Sequence, residues 1–374
     1  MRVLVAPDKF KGSLPAREAA EAVIAGWLRG WPACRMTAHP VADGGDGTLE
    51  AVAATTGALR HSATVRDARG RPGKVSWLFE ASTRTAWIES SLVVGLAGLG
   101  AEERLPLTAT TAGLGELLRV AANAGAEHII VALGGSATND AGCGLAGALG
   151  FRFLDHSGTP LEPLPENLGR LHRIERPDDL RLPAVTGLVD VSNPLLGPHG
   201  ASHVYGPQKG ASNEEVAKLE EALTRVAATA RRDLAATDPS TPGSGAAGGL
   251  GYGLMAFLDA DLRPGFEVIA EITGLRPAVE AADLVITGEG RLDEQTASGK
   301  APAGVARLAR ECGKPVIALA GSVPLTKEMD GAFDAVLPIT NQPMTLDQAM
   351  QQAGPLLEEA AARAARLVRL GKLL

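Results

Sequence analysis

The sequence predicts an α/β protein built around parallel sheet, and three observations carry that prediction. Short β-branched apolar runs recur along the chain, each run ends in a loop of Gly, Ser, Asp or Asn, and amphipathic helical patterns separate most of them. Strand, loop and helix in alternation specify α/β layers, and ligands of such sheets bind beyond the carboxyl ends of the strands.

The runs are "RVLVAPDKFKGS", "AHPVADGGDGT", "IIVALGGSATNDAG", "VTGLVDVSNPLLG", "LVITGEGRLDEQT" and "VIALAGSV". After the first, Ala20, Val23, Ile24, Trp27, Leu28 and Trp31 keep the spacing of one apolar helix face, with Ser13 and Pro15 as start signals. Further helices are expected near 48–56, 109–124, 213–236, 302–312 and 345–370, with Gly125 and Gly313 at C′ positions where a left-handed residue ends a helix. Strands near 61–65, 74–79 and 84–89 follow one another with no helix between them, which places an antiparallel piece inside the alternation. The expected organisation is a discontinuous domain over 1–65 and 283–374, interrupted by an inserted mixed-sheet α/β domain over 66–282. The glycine-dense segment Thr241 to Gly253 reads as a mobile loop.

Composition excludes several classes. Of 374 residues 45 are glycine, well above the usual share of roughly 7%. They follow no collagen period and belong in turns and backbone-lined sites. The net charge of −7 comes without dense Lys/Arg clustering, so nucleic acid is not an expected partner. The apolar start of the chain stops at Asp8, unlike a signal peptide, and the run Ser91 to Ala101 is too short to span a bilayer, so no membrane role is expected. Cys34, Cys143 and Cys312 lie far apart without CxxC spacing. A reduced cytoplasmic protein is the expectation, with homo-oligomerisation left open.

Two nucleotide motifs are missing. "EQTASGKA" has Glu294 where a Walker A loop needs its first glycine and Ala301 after Lys300, and the turn after the first strand is not G-x-G-x-x-G. A P-loop protein and an NAD-dependent dehydrogenase are therefore both disfavoured. What is present is a set of polar loops. "DGGDGT" offers the unobstructed amides of Gly44, Gly45 and Gly47, the carboxylates of Asp43 and Asp46, and the Thr48 hydroxyl at a helix start. Glycines alone suit an anion, and the carboxylates fit beside it once Mg²⁺ lies between them. The plain alternative is a capped turn with Asp46 as N-cap. "GGSATNDAG" adds Gly134, Gly135, Ser136, Asn139 and Asp140, again either a wrapping loop or a capped turn.

"TGEGRLDEQTASGK" sets Gly288, Glu289 and Asp293 around Arg291, with Lys300 following, which is the inventory of carboxylates and cations that phosphoryl transfer uses. Its alternative is a solvated charged loop. Asp190 and Asn193 stand at the end of another strand run, ahead of His199, His203 and Lys209. The histidines lack metal spacing and are read as structural. Asp8, Lys9 and Lys11 close the first strand.

Together these blocks resemble the bacterial class I glycerate kinases. The resemblance rests on "APDKFKGSLPA", "PVADGGDGTLEA", "GGSATNDAG", "DVSNPLLGPHGA" with "GPQKGA", and "TGEGRLDEQTASGKAP", in the expected order and covering essentially the whole chain. It implies ATP-dependent phosphorylation of D-glycerate, generally to 2-phosphoglycerate, with Mg²⁺. It also implies two α/β domains, one flavodoxin-like and one related to restriction-enzyme folds, with the active site in a cleft between them. Two positions depart from the family pattern: Lys9 where Ser is common and Ala141 where Gly is common, which favours Lys11 over Lys9 for a catalytic role.

A hydroxyl nucleophile needs a carboxylate to take its proton. Asp190 is the expected base, with Asp43 its rival. Asp46, Glu289 and Asp293 are the expected Mg²⁺ ligands, and Lys11, Arg291 and Lys300 the expected neutralisers of substrate and phosphate charge. Asp8, Asp43, Gly44, Gly45, Gly47, Thr48, Gly134, Gly135, Ser136, Asn139, Asn193 and Gly288 are expected to bind substrate or nucleotide. The rival readings are a 3-kinase, a kinase of a related hydroxy acid, and a non-catalytic sugar-acid or nucleotide binding protein.

Overall fold

The computed structural model describes residues 1–292, 300–323 and 331–372. Its strands are β1 (Arg2–Val5), β2 (Arg35–Ala38), β3 (Leu59–Arg66), β4 (Pro72–Glu80), β5 (Thr85–Glu89), β6 (His128–Ala132), β7 (Arg152–Leu154), β8 (Arg173–Glu175), β9 (Ala184–Val189), β10 (Asp261–Pro264), β11 (Leu284–Arg291), β12 (Val316–Ser322) and β13 (Ala335–Pro338). The chain divides into two compact units. The first comprises Met1–Asp43, Glu50–Thr56 and Phe266–Leu374, and the second Gly44–Leu49 and Gly57–Gly265.

In the first unit the described strands form one parallel sheet in the order β2-β1-β11-β12-β13. Numbered within the unit, that is the doubly wound order 2-1-3-4-5, whose topological switch point lies between β1 and its third strand, here β11. Successive residues of a strand face opposite sides, and the two cores follow that rule. Val3, Val5, Ile286 and Leu319 pack with Trp27, Leu357 and Ala361 on one face. Leu4, Val285 and Ala318 pack with Phe266, Val279 and Val305 on the other. Both cores use fully buried aliphatic side chains, each worth roughly 1.5–3 kcal/mol of transfer free energy.

On the first of those faces, helix Ala16–Gly30 crosses helix Ala353–Gly371 at backbone contact. A Cβ on Gly26 would lie 1.9 Å from the Glu358 carbonyl oxygen, and one on Gly30 would lie 2.5 Å from that of Ala362. Arg29 bridges to Glu358 at 2.8 Å along the same seam. The expected helix 345–370 is two helices, Leu346–Gln351 and Ala353–Gly371, separated at Gln352. The helices expected near 109–124, 213–236 and 302–312 run Ala112–Asn123, Asn213–Leu234 and Ala301–Glu311, with Gly125 at φ 93° and Gly313 at φ 64° as their left-handed ends require.

The second unit holds a mixed sheet in the order β10-β9-β6-β5-β4-β3. β5, β6, β9 and β10 run parallel, while β3, β4 and β5 form the antiparallel piece read from the sequence. Ala86, Ile88, Ile129 and Val131 bury one face against Leu114, Leu117 and Leu118 of helix Ala112–Asn123 and against Leu250 and Leu254. β7 and β8 make a separate two-stranded ribbon.

The segment read as a mobile loop, Thr241 to Gly253, is corrected by the structure. Its second half starts a buried helix, Ala246–Leu258. The glycines serve close approach: a Cβ on Gly248 would lie 1.9 Å from the Thr138 carbonyl oxygen, and one on Gly253 would lie 2.3 Å from that of Ala141. Among the described residues no helix is long and apolar enough to cross a membrane.

Helix crossing at Gly26 generates a prediction. In an open helix Gly→Ala gains about 1 kcal/mol of propensity, but here the new methyl meets a carbonyl oxygen, and overpacking of this kind costs about 1–3 kcal/mol. The clash should win, so Gly26→Ala should lower the melting temperature in a thermal unfolding scan. An unchanged or raised melting temperature would contradict the packing described.

Candidate active site

At the switch point of the first sheet the chain leaving β1 continues beside β11. The Ala6 amide donates to the Ile286 carbonyl at 2.7 Å and the Asp8 amide to that of Gly288 at 2.8 Å, while the Thr287 hydroxyl donates to the Ala6 carbonyl at 2.8 Å. These bonds draw Asp8 alongside Glu289. β11 runs through Arg291, so Gly288, Glu289 and Arg291 belong to a strand end rather than to the loop that the sequence suggested. The chain leaving β2 joins through the Val41 amide, which donates to the Pro7 carbonyl at 3.0 Å and brings in Asp43.

The Asp8 carboxylate is 4% exposed, Asp43 and Glu289 are also buried, and Lys9 Nζ stands 3.7 Å from Asp8 Oδ1 and 3.8 Å from Asp43 Oδ1. Burial pushes the Asp8 carboxyl up to about 7; Lys9 opposes the shift, and the like charges of Asp43 and Glu289 add to it. The cluster therefore gathers three carboxylates and one ammonium, with a carboxyl able to change protonation near neutrality. Lys11 is exposed, with its amide region beside Gly290, and Arg291 is exposed at the end of β11. Lys300 stands at the N-cap of helix Ala301–Glu311, and Asp293 lies outside the described residues. Lys9, set aside in the sequence in favour of Lys11, is thus the lysine seated among the carboxylates.

The second unit carries its own polar set, also beyond the carboxyl ends of parallel strands. Glu89, the last residue of β5, is buried and binds the loop Gly44–Leu49 from beneath. Its Oε1 accepts from the Gly47 amide at 3.0 Å and its Oε2 from the Leu49 amide at 3.2 Å, while the Ser91 hydroxyl donates to Oε1 at 3.0 Å. Burial raises the Glu89 carboxyl above its ordinary value, and the charge of Asp46 adds to the rise. Gly44 and Gly47 adopt φ of 90° and 88°, open to glycine at little cost. Thr48 Oγ1 donates to the Gly45 carbonyl at 2.7 Å and starts helix Thr48–Thr55.

Asp46 approaches the second glycine-rich turn. Its Oδ1 is buried without a hydrogen-bond partner, and a Cβ on Gly135 would lie 2.4 Å from it. The turn itself is fixed by Ser90, whose hydroxyl contacts both the Gly134 amide at 3.2 Å and its carbonyl at 3.1 Å. Farther along, Asp140 is fully buried and accepts from the Thr111 amide and hydroxyl and from the Gly142 and Gly144 amides. Asn139 donates to Ser202 at 3.1 Å.

Asp190 is exposed just past β9, and its charge is felt by Tyr205. Asn193 donates to the His199 carbonyl at 2.8 Å and accepts from the Tyr205 hydroxyl at 2.7 Å, which ties its own loop together. The first unit thus brings together Asp8, Asp43, Gly288, Glu289 and Arg291. The second brings together Gly44, Gly45, Asp46, Gly47, Thr48, Gly134, Gly135, Ser136 and Asn139, while Asp190 and Asn193 follow a different strand. Sequence reasoning missed Glu89 and Ser90, for which the one available signal is their place at the polar end of the apolar run "AWIES".

Comparison with known proteins agrees with this architecture. The profile of the glycerate kinase family matches residues 3–369. A glycerate kinase of Halalkalibacterium halodurans is 42% identical over 367 residues, 96% of each chain. A glycerate 2-kinase of Escherichia coli strain K12 is 40% identical over 379 residues, 99% of each chain. A solved structure titled as a glycerate kinase 2, from Salmonella typhimurium LT2, superposes with a TM-score of 0.84 at 39% identity, covering 100% of both chains. With parallel-sheet loops rich in glycine, carboxylate and cation along its length, the chain belongs to the glycerate kinase family, phosphotransferases that use an alcohol group as acceptor.

Proposed function

We propose that this chain transfers the γ-phosphoryl group of ATP to the 2-hydroxyl of D-glycerate, giving 2-phosphoglycerate and ADP. The observation that carries the reading is the buried Asp8–Lys9–Asp43 cluster beside Glu289 at the switch point of a 2-1-3-4-5 sheet. The 2-hydroxyl is favoured because a full-length relative at 40% identity is a glycerate 2-kinase.

Asp8 is the carboxylate we assign as base, in place of the exposed Asp190. A base works best when its pKa lies near the operating pH, and Asp8 is held at about 7. As the acceptor oxygen bonds to the γ-phosphorus, its proton passes to Asp8. The bond from the γ-phosphorus to the bridging oxygen breaks, and ADP leaves. Lys9, Lys11, Arg291 and Lys300 supply positive charge for the phosphoryl and carboxylate groups. The glycine-rich loops of the second unit, Gly44 to Thr48 and Gly134 to Asn139, supply amides and hydroxyls for anionic oxygens.

Mg²⁺ fits the first cluster. Among the described residues no group of three or more His, Cys, Asp or Glu is disposed to hold a metal by itself, but Mg²⁺ borne on a nucleotide takes only one or two carboxylates, with phosphate and water completing its shell. Asp43 and Glu289 would hold it, and bound there it would neutralise charge on the phosphates. Of the expected ligands Glu289 thus keeps its place and Asp43 is added; Asp46 belongs to the second unit and lies near Glu89, and Asp293 lies outside the described residues. The cysteines are free, in keeping with a reduced cytoplasmic location.

Turnover of D-glycerate with MgATP checks the reaction. ADP should be released, and enolase added without mutase should form phosphoenolpyruvate, because enolase accepts only the 2-phosphate. ADP release without the enolase signal would assign the 3-hydroxyl, and silence in both assays would reject the reading. For the base, Asp8→Asn should lower kcat by about 10²-fold or more, while Asp190→Asn should leave kcat within a few-fold. The reverse result would return the role to Asp190.

The same Asp8→Asn protein has a stability signature. A carboxyl near pKa 3.9 in the unfolded chain and about 7 in the folded one keeps its proton longer when folded. Its contribution is present below the unfolded value and is lost as pH rises through the folded value. In metal-free buffer Asp8→Asn should therefore melt higher than the parent at pH 8, and the gap should close as pH falls toward 4. A constant gap across that range would contradict the burial described for Asp8.

A further inference from the structure

Resting on the reading that the Gly134 to Asp140 loop receives an anionic ligand, we propose that Lys209 is a positioning residue: its ammonium holds the Ser136 hydroxyl as an acceptor, so that the hydroxyl proton is turned toward that ligand. Lys209 lies at the end of the short helix Pro207–Lys209 and is only 3% exposed. Its Nζ donates to the Thr138 carbonyl at 2.7 Å and to Ser136 Oγ at 3.1 Å.

A serine hydroxyl has one proton. With Oγ accepting from Lys209, that proton must donate elsewhere, and among the described residues no acceptor receives it. Two more buried functions of the same loop, Thr138 Oγ1 and Asn139 Oδ1, also have no hydrogen-bond partner. Buried polar groups are rarely left this way, because each is costly to withdraw from water unless something answers it. The loop thus presents three unanswered polar functions in sequence, and Lys209 grips it on both sides of Ala137.

A purely structural role does not account for a buried ammonium here. Asp140, the carboxylate whose charge Lys209 feels, already accepts four hydrogen bonds, none of them from Lys209. Burial lowers the Lys209 pKa to about 7, the cost of withdrawing its charged form from water, and the charge of Asp140 opposes the shift. An apolar side chain of similar volume would remove that cost. The glycines opposite confirm how closely the site is built: a Cβ on Gly248 would lie 2.8 Å from Nζ.

The anionic oxygen that Ser136 would meet belongs either to the carboxylate of the acceptor or to a phosphate of ATP, and steady-state kinetics separates the two. Lys209→Met should raise KM about tenfold for one substrate and leave the other within twofold. Glycerate KM rising identifies the carboxylate, ATP KM the phosphate. Ser136→Ala should raise the same KM, and the double variant should be no worse than Ser136→Ala alone, since one variant acts through the other. Multiplicative effects, or a Lys209→Met protein with both KM values unchanged and only kcat per mole reduced, would overturn the proposal in favour of a structural lysine. If Lys209→Met does not fold, Lys209→Gln decides: it keeps an N–H donor, and a KM nearer the parent than that of Ser136→Ala supports positioning, while a KM equal to it overturns it. Ser136→Ala with both KM values unchanged would reject the ligand-binding role of the loop itself, whereas loss in Ser136→Ala without loss in Lys209→Met rejects only the part assigned to Lys209.

Discussion

The chemistry of the first unit depends on one long-range pairing, that of β1 with β11. Val3 pairs with Leu284 and Val5 with Ile286, so residues near the start of the chain are held against residues near its last quarter. Parallel strands cannot be joined by a tight turn, and closing so long a stretch of chain costs entropy that grows only slowly with length. Once the pairing exists, Asp8 follows Val5 and Glu289 follows Ile286, and both carboxylates arrive at the same end of the sheet without further instruction. Parallel register is what makes this possible, since an antiparallel pair would send the two loops to opposite ends.

Burial then separates groups that the sequence presents as equals. The carboxylates of Asp8, Glu89 and Asp140 are all withdrawn from water, and each answers the cost differently. Asp140 is surrounded by four donors and acts as a fixed strut for its loop. Glu89 takes two backbone amides and a hydroxyl and ties down the glycines above it. Asp8 takes one amide, that of Lys9 at 2.7 Å, and burial with the like charges of Asp43 and Glu289 raises its carboxyl to about 7 against the opposing charge of Lys9. Hydrogen-bond count separates the three carboxylates, and on that count Asp8 is the least restrained.

The strands and the polar loops that end them were legible because period and punctuation are local properties. "RVLV", "HIIVA" and "LVITG" read as strands from a handful of neighbouring residues, and Gly125 and Gly313 mark helix ends by their own conformational freedom. Partnership was not legible in the same way. Glu89 meets Gly47 across 42 residues, and Lys209 meets Ser136 across 73, distances at which only the fold decides proximity. Glycine density in 241–253 misled for a related reason: the same residue that loosens an exposed loop permits backbone contact in a buried one, and the choice between them belongs to what lies opposite.

That ambiguity of glycine is resolved at Gly248, and its resolution bears on the site. Gly248 and Gly249 sit at φ 71° and 84°, where the helix around them departs from helical geometry. The departure lets the backbone come within reach of the Thr138 carbonyl, the same carbonyl that Lys209 grips. A side chain at 248 would displace either the carbonyl or the ammonium, and either displacement would release the loop on which Ser136 stands. Gly248, Gly249 and Gly253 therefore pack against the chain from Thr138 to Gly142. At these positions the absence of a side chain lets two stretches of backbone meet, a close packing that holds the segment Thr138 to Gly142 in one conformation.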